Sequence, residues 1–328
     1  MRKIILTTAL MLTGFLMQAV AQETIYVAVL QTQNYIVGAR NAPSGFFRYQ
    51  HDTLWTHLGW KNLRHNGISV ASDNHEYIFL AAGNGALRTL DGGRSWRITT
   101  DYHVTEVQDV AISPFASDRV YIATAYGVWR STDRGDNWTE ANQGLQPTFT
   151  QTIEADWSQD GRVIVGGEGG LFVSTDDGQT WRHIGPDVPV RDVQQCRTNP
   201  AIWLAGTEDR GVLISFDGGN NWSFAKGKIA RQTIYAVAID PTNPRNMAAA
   251  GYKTGVFLSK DGGKKWKQYK KGLPVLDIHA LCFDLVKPGK IWAGTVGAGV
   301  YYSENSGEQW QYAGLDGAEI WDMIIIED

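Results

Sequence analysis

The chain repeats one hydrophobic pattern along most of its length. Alternating apolar segments such as VQDVAIS (107–113), TIYAVAID (233–240) and IHALCFD (278–284) open each period. A second apolar run follows, for example RVYIATA (119–125), NMAAAGY (246–252) or KIWAGTV (290–296). Then come a third, GVWRS (127–131), GVFLS (255–259) or GVYYS (299–303), and a short fourth, NWTEAN (137–142) or KWKQYK (265–270). Four short strands every forty-odd residues predict one propeller blade per repeat.

Between the third and fourth strands lies a polar motif, Ser/Thr-x-Asp-x-Gly-x-x-Trp. It occurs at Thr89–Trp96, Ser131–Trp138, Ser174–Trp181, Ser215–Trp222 and Ser259–Trp266, and at Ser303–Trp310 with Asn305 in place of the aspartate. The tryptophans at 96, 138, 181, 222, 266 and 310 are 42, 43, 41, 44 and 44 residues apart. One period upstream, RYQHDTLW (48–55) ends on Trp55 and carries Asp52 in a shortened turn without the glycine, a degenerate seventh copy. Seven repeats predict an all-β, seven-bladed β-propeller. The last residues, EIWDMIIIED (319–328), match the first strand of a repeat with nothing after them. ETIYVAVL (23–30) matches a second strand that lacks a first. The C-terminal strand is therefore expected to complete the N-terminal blade, which removes two open edges at once.

Within the motif, glycine at the fifth position is expected at positive φ, where it meets no steric penalty. The aspartates Asp91, Asp133, Asp176, Asp217 and Asp261, with Asn305, are expected to accept hydrogen bonds from turn amides. Trp96, Trp138, Trp181, Trp222, Trp266 and Trp310 would staple turn to blade. One carboxylate per turn is far short of the oxygens a calcium ion takes. These positions therefore read as structural.

This repeat resembles the Asp-box, or BNR, repeat of sialidases, xyloglucan-cleaving endoglucanases, sortilin-type receptors and the photosystem II stability and assembly factors. The resemblance covers about residues 23–328. It implies the propeller fold and leaves activity open, since one fold hosts many functions. The Arg-Ile-Pro segment of sialidases is missing, and there is room for one propeller where the endoglucanases pair two. Similarity in size is greatest to the single-propeller assembly factors, which implies partner binding as the mode of action.

Composition narrows the setting. Arg2 and Lys3, an apolar run from Ile4 to about Met17 and Ala19-Val20-Ala21 read as a signal peptide over residues 1–21, with the mature propeller spanning 22–328. An exported, periplasmic or extracellular protein is expected, without a membrane span and as a monomer. Removing two cations leaves 28 basic against 34 acidic residues, a net charge of −6 with no footprint for nucleic acid. Cys196 and Cys282 are expected as buried free thiols. The seven histidines show no metal-ligand spacing, and neither metal nor cofactor is expected. The lysines at 260, 264, 265, 267, 270 and 271 read as a solvated rim.

Propellers meet ligands on the face formed by the loops entering the first strand and joining the second to the third. Alignment of the repeats puts Arg64, His65, Gln108, Arg191, Tyr235, His279 and Trp321 at the entries, and Tyr126, Arg210 and Tyr252 in the other loops. Residues 31–44 lengthen one such loop and add Tyr35, Arg40 and Asn41. This ring suits a protein partner, and a non-catalytic binding or assembly scaffold is the expected function. The alternative is a carbohydrate-active propeller: a lectin-like glycan binder, or a glycoside hydrolase or polysaccharide lyase using a carboxylate pair from Glu106, Asp109 and Asp192.

Overall fold

The second strands of the repeats are buried along their whole length: Ile78–Ala82, Val120–Thr124, Val163–Gly167, Trp203–Thr207, Met247–Gly251 and Ile291–Thr295. Such strands need apolar cover on both faces, and the architecture supplies it. A computed structural model describes residues 23–32, 44–50, 55–60 and 64–327. These residues form seven four-stranded antiparallel sheets, one per repeat. We number the blades one to seven from the N-terminus.

The blades stand face to face, so each contact between neighbours is its own small core. Met247 and Ala249 of blade six pack towards blade five with Leu204, Val212 and Ile214. Ala248 and Ala250 point the other way, onto Leu281, Ile291 and Ala293 of blade seven. This period-two alternation divides a fully apolar strand between two interfaces. Among the described residues, seven apolar clusters correspond to the seven interfaces, blade seven meeting blade one included.

Ring closure follows the expectation. In blade one the innermost strand is the C-terminal one, Ala318–Glu327, paired antiparallel with Glu23–Thr32 from Glu23↔Glu327 to Thr32↔Ala318. The Glu23 carboxylate adds a second tie, accepting hydrogen bonds from Leu285 N (2.7 Å) and Val286 N (3.0 Å) of blade seven. Cys196 and Cys282 are free and buried. Among the described residues no helix is long and apolar enough to cross a membrane.

Each polar motif builds its own turn and also ties it to the blade before. In blade two, Thr89 Oγ1 donates to Asp91 (2.7 Å) and accepts from Gly93 N (3.0 Å), while Asp91 accepts from Ser95 N (2.9 Å) and Ser95 Oγ (2.6 Å). Those bonds favour the anion and hold the Asp91 carboxyl down at about 2, the Ser95 hydroxyl contributing most. Asn305 Oδ1 makes the same two main contacts, with Ser303 Oγ (2.9 Å) and Gln309 N (3.0 Å), which is why the sixth copy tolerates the amide. The tryptophans reach sideways: Trp96 packs edge-on against Phe46 of blade one, and Trp138 against Phe79 of blade two. Trp55 donates to Ala313 O of blade seven (2.8 Å), as Trp181 does to Ala141 O of blade three (2.7 Å), which supports the degenerate seventh repeat; Asp52 lies outside the described residues.

Two adjacent glycines separate the reasons for this turn's chemistry. Gly262 and Gly263 both have positive φ, 73° and 79°. A Cβ on Gly262 would meet nothing within 4 Å, whereas one on Gly263 would lie 2.3 Å from Ile214 Cδ1 of blade five. Gly262→Ala should therefore cost only the backbone strain, about 1 kcal/mol, and Gly263→Ala about 2–4 kcal/mol once overpacking is added. Equal urea-denaturation midpoints for the two variants would contradict this packing. Deleting residues 318–328 should abolish the single cooperative transition; a truncated chain with unchanged melting would show that closure is dispensable.

Candidate functional site

Every innermost strand slips register at the same point. Pairing with the second strand jumps from His65 to Gly67, Val107 to Asp109, Thr150 to Thr152, Val190 to Asp192, Ile234 to Ala236 and Ile278 to Ala280. In the closing strand Ile320 pairs with Val29 and Asp322 with Ala28, which leaves out Trp321. Each slip is a β-bulge, a device that re-aims a side chain. The seven bulged residues, Asn66, Gln108, Gln151, Arg191, Tyr235, His279 and Trp321, all line one cavity of about 450 Å³ on the propeller axis.

The ring has two unlike arcs. Through blades two to five it is a chain of hydrogen-bonding groups: Asn66 Nδ2 donates to Val107 O (2.8 Å), Gln151 Nε2 to Gln108 Oε1 (3.4 Å) and Arg191 Nη1 to Gln151 Oε1 (3.1 Å). Arg191 is also ion-paired with Glu208. Through blades six, seven and one it is aromatic: Tyr235 meets His279 edge-to-face at 4.5 Å, and His279 meets Trp321 in the same way at 4.5 Å. Burial lowers the His279 pKa to about 4, so this imidazole is neutral at pH 7.

Below the ring stand carboxylates. An innermost strand has no neighbour on its channel side, so some of its amides need other acceptors. Asp322 Oδ2 accepts from Ile68 N (2.7 Å), Asp109 Oδ2 from Ile153 N (2.9 Å) and Asp192 Oδ2 from Val237 N (2.7 Å), each reaching the next blade round the ring. In blades two and four hydroxyls do the same: Ser69 Oγ accepts from Ile112 N (3.0 Å) and Thr152 Oγ1 from Val193 N (3.3 Å). Desolvation in the channel raises the carboxyl pKa of Asp192 to about 8, Glu154 to about 7 and Asp322 to about 6, and puts Asp109 well above its usual range. The charge of Asp322 adds to the rise at Asp109, Asp192 and Glu154. Deeper in the same cavity, Glu154 accepts from Trp157 Nε1 (3.1 Å), and the Arg197 guanidinium lies 4.3 Å from the Trp157 ring centre.

The residues singled out from the sequence fall into distinct groups. Gln108, Arg191, Tyr235, His279 and Trp321 come together in the ring, with Asp109 and Asp192 on the wall beneath. Tyr126 and Tyr252 are exposed (63% and 52%) in loops on the same face, and Arg64 and Glu106 are exposed nearby. Arg210 is exposed but folds back over the Phe224 ring of the outermost strand, 4.5 Å from its centre. His65 is buried, and its pKa falls to about 4. Tyr35, Arg40 and Asn41 lie outside the described residues. Trp157 and Arg197 were not foreseen: they lie just past the ends of their innermost strands, where the repeat has no fixed residue. Among the described residues, no group of three histidines, cysteines or acids is arranged to hold a metal ion.

Fold and ring together define a seven-bladed, BNR-type propeller with a ligand-sized axial mouth. The family model described as sortilin, neurotensin receptor 3 (Sortilin-Vps10) matches residues 84–197, from the second-to-third-strand loop of blade two into blade five. Among solved structures, an ancestral GH74 enzyme aligns with TM-score 0.64 and 20% identity over 75% of this chain and 38% of its own, so the chain spans well under half of that enzyme. YCF48 bound to a D1 peptide aligns with TM-score 0.60 and 16% identity, over 75% of this chain and 81% of its own. YCF48 from Cyanidioschyzon merolae gives 0.59 and 18%, over 75% and 84%. At these identities the likeness is one of fold. A comparison with curated protein sequences finds no match.

The channel carboxyls give a test by pH. A raised folded-state pKa means that the native protein holds a proton which the unfolded chain, with carboxyls near 4, has released. Stability should therefore fall as pH rises from about 4 towards 8, with Asp192, Glu154 and the strongly raised Asp109 all contributing to the alkaline part of that loss. Asp192→Asn keeps an oxygen for Val237 N and should make the decline between pH 6 and 8 shallower. Urea midpoints that rise over this range, or an unchanged slope in the variant, would contradict the assignment.

Proposed function

We propose that this protein is an exported, non-catalytic binding scaffold that engages a segment of a protein partner at the channel mouth. The observation that carries this reading is the bulged ring. Amide and guanidinium groups on one arc suit the hydrogen-bonding groups of an extended backbone, and the aromatic arc suits side chains. Tyr102, Tyr126 and Tyr252 are exposed in loops on the same face, at 83%, 63% and 52%. Exposed tyrosines are enriched on protein-binding surfaces, where rigid rings contribute area at small entropic cost.

The carboxylates favour the same reading. Asp109 and Asp192 accept main-chain N–H bonds that join neighbouring blades, a structural task that accounts for their place on the wall. YCF48, similar in fold and in length, has been solved with a D1 peptide bound, so a single propeller of this kind accommodates a peptide. Export rests on the signal peptide read over residues 1–21.

A photo-crosslinking residue at Gln151 or Tyr126 should capture one protein from the source cells, and the same residue at exposed Phe216, in the blade-five Asp-box turn, should not. The secreted chain should begin at Gln22. Cross-links arising from position 216 alone, or a retained Met1, would contradict the proposal. Recovery of polysaccharide instead would put the carbohydrate-active reading in its place and make Glu106, Asp109 and Asp192 the residues to test for catalysis.

A further inference from the structure

Desolvation raises the carboxyl pKa of the acids beneath the ring, and a cation placed among them would reverse that rise and ionise them. Four carboxyls line the cavity, Asp109, Asp192, Asp322 and Glu154, and the cations that line it among the described residues are Arg191 and Arg197. Both are already engaged: Arg191 with Glu208 and Gln151 at the rim, Arg197 on the face of Trp157 at depth. Arg197 also offsets Glu154, so the acids left without a counter-charge are Asp109, Asp192 and Asp322. Each of the four also keeps acceptor capacity, because a carboxylate offers about four lone-pair sites: Asp109 accepts from Val110 N, Ile153 N and Thr152 Oγ1, and Glu154 from Trp157 Nε1. The acids are not gathered as a metal site would be.

Alongside the acids stands the aromatic arc. Tyr235, His279 and Trp321 are half-buried and face the same cavity, with His279 neutral at pH 7. Aromatic faces attract cations through the ring quadrupole, most strongly at tryptophan. Carboxylates and aromatic faces favour the same ligand, a cationic group on an apolar stem. At about 450 Å³ the cavity is of ligand size, room for a long side chain and the few residues that carry it.

Building on the reading of the mouth as a protein-binding site, we infer that the bound segment inserts a lysine or arginine side chain down the axis. Its stem lies along Tyr235, His279 and Trp321, and its charge stands among Asp109, Asp192 and Asp322. The amide arc then holds the main chain on either side of it. An acidic segment would find no counter-charge among these acids and would raise their pKa further. Selectivity for the cation is thus a property of the wall, while general affinity for a chain is a property of the rim.

The test needs no knowledge of the partner. The mature chain is labelled with ¹⁵N-tryptophan, and the Trp321 indole signal is assigned by its loss in Trp321→Phe. The probes are the peptides Ac-Gly-Gly-X-Gly-Gly-NH₂ with X lysine, arginine, norleucine or glutamate. Lysine and arginine should move the Trp321 signal saturably, at concentrations at least about tenfold below those norleucine requires, and glutamate should not move it. Asp192→Asn and Asp322→Asn should each weaken the lysine response, and Arg210→Ala should leave it unchanged. The comparison of lysine with norleucine on the unaltered protein stands even if an aspartate variant fails to fold. Equal response to norleucine, preference for glutamate, or no response to any peptide would overturn the inference. A partner cross-linked at Gln151 whose bound segment lacks an inserted cation would overturn it and leave the mouth as the binding site, whereas cross-links confined to Phe216 would remove both.

Discussion

The pairing of Ala318–Glu327 with Glu23–Thr32 is the contact on which everything else rests. A propeller blade is apolar on both faces, so no blade here is stable without two neighbours, and a ring has neighbours for all only when it closes. The ladder that closes it joins the two ends of the described chain, and Glu23 adds hydrogen bonds across the seam to blade seven. Closure also fixes the axial channel. The strand that locks the ring brings Trp321 and Asp322 into the mouth, so fold closure and site assembly are one event.

Two kinds of polar chemistry tie neighbouring blades together, one in the outer turns and one along the innermost strands. In the turn between third and fourth strands the Asp-box meets the neighbouring blade through its tryptophan and through a close approach at its fifth-position glycine, as Gly263 against Ile214 illustrates. Along the channel wall, carboxylates and hydroxyls accept the amides that an unpartnered strand edge leaves over. The first set are exposed anions with depressed pKa, as at Asp91 and Asp217. The second set are desolvated acids with raised pKa. The same residue type thus fills opposite electrostatic roles: the turn aspartates stay ionised, while the channel acids are held towards the neutral form unless a positive charge stands beside them.

Much of this was legible in the sequence, because the repeat displays it six or seven times. Strand order, blade number, closure and the turn role of the aspartates all follow from period and position. The ring was legible in part: the entry residues were identified, but the bulge was not. Its trace is a slip in the alternation, as in VRDVQQ or IYAVAI, where Val190 and Val193, or Ile234 and Val237, stand three apart instead of two. The sequence shows Asp109 and Asp192 without their partners, because the amides of Ile153 and Val237 that they accept lie a whole blade away. Trp157 and Arg197 sit outside the repeat's fixed positions, so no periodic argument finds them. Arg210 was placed in the correct loop, but the neighbouring Phe224 decides its direction.

Amide hydrogen exchange, with and without the captured partner, locates the surface a partner would cover. Binding at the proposed channel mouth should slow exchange in the loops around Tyr126, Asp209 and Tyr252 and at the bulged starts of the innermost strands, and leave the Asp-box turns unchanged. Protection confined to the Asp-box turns, or to the outermost strands, would contradict it.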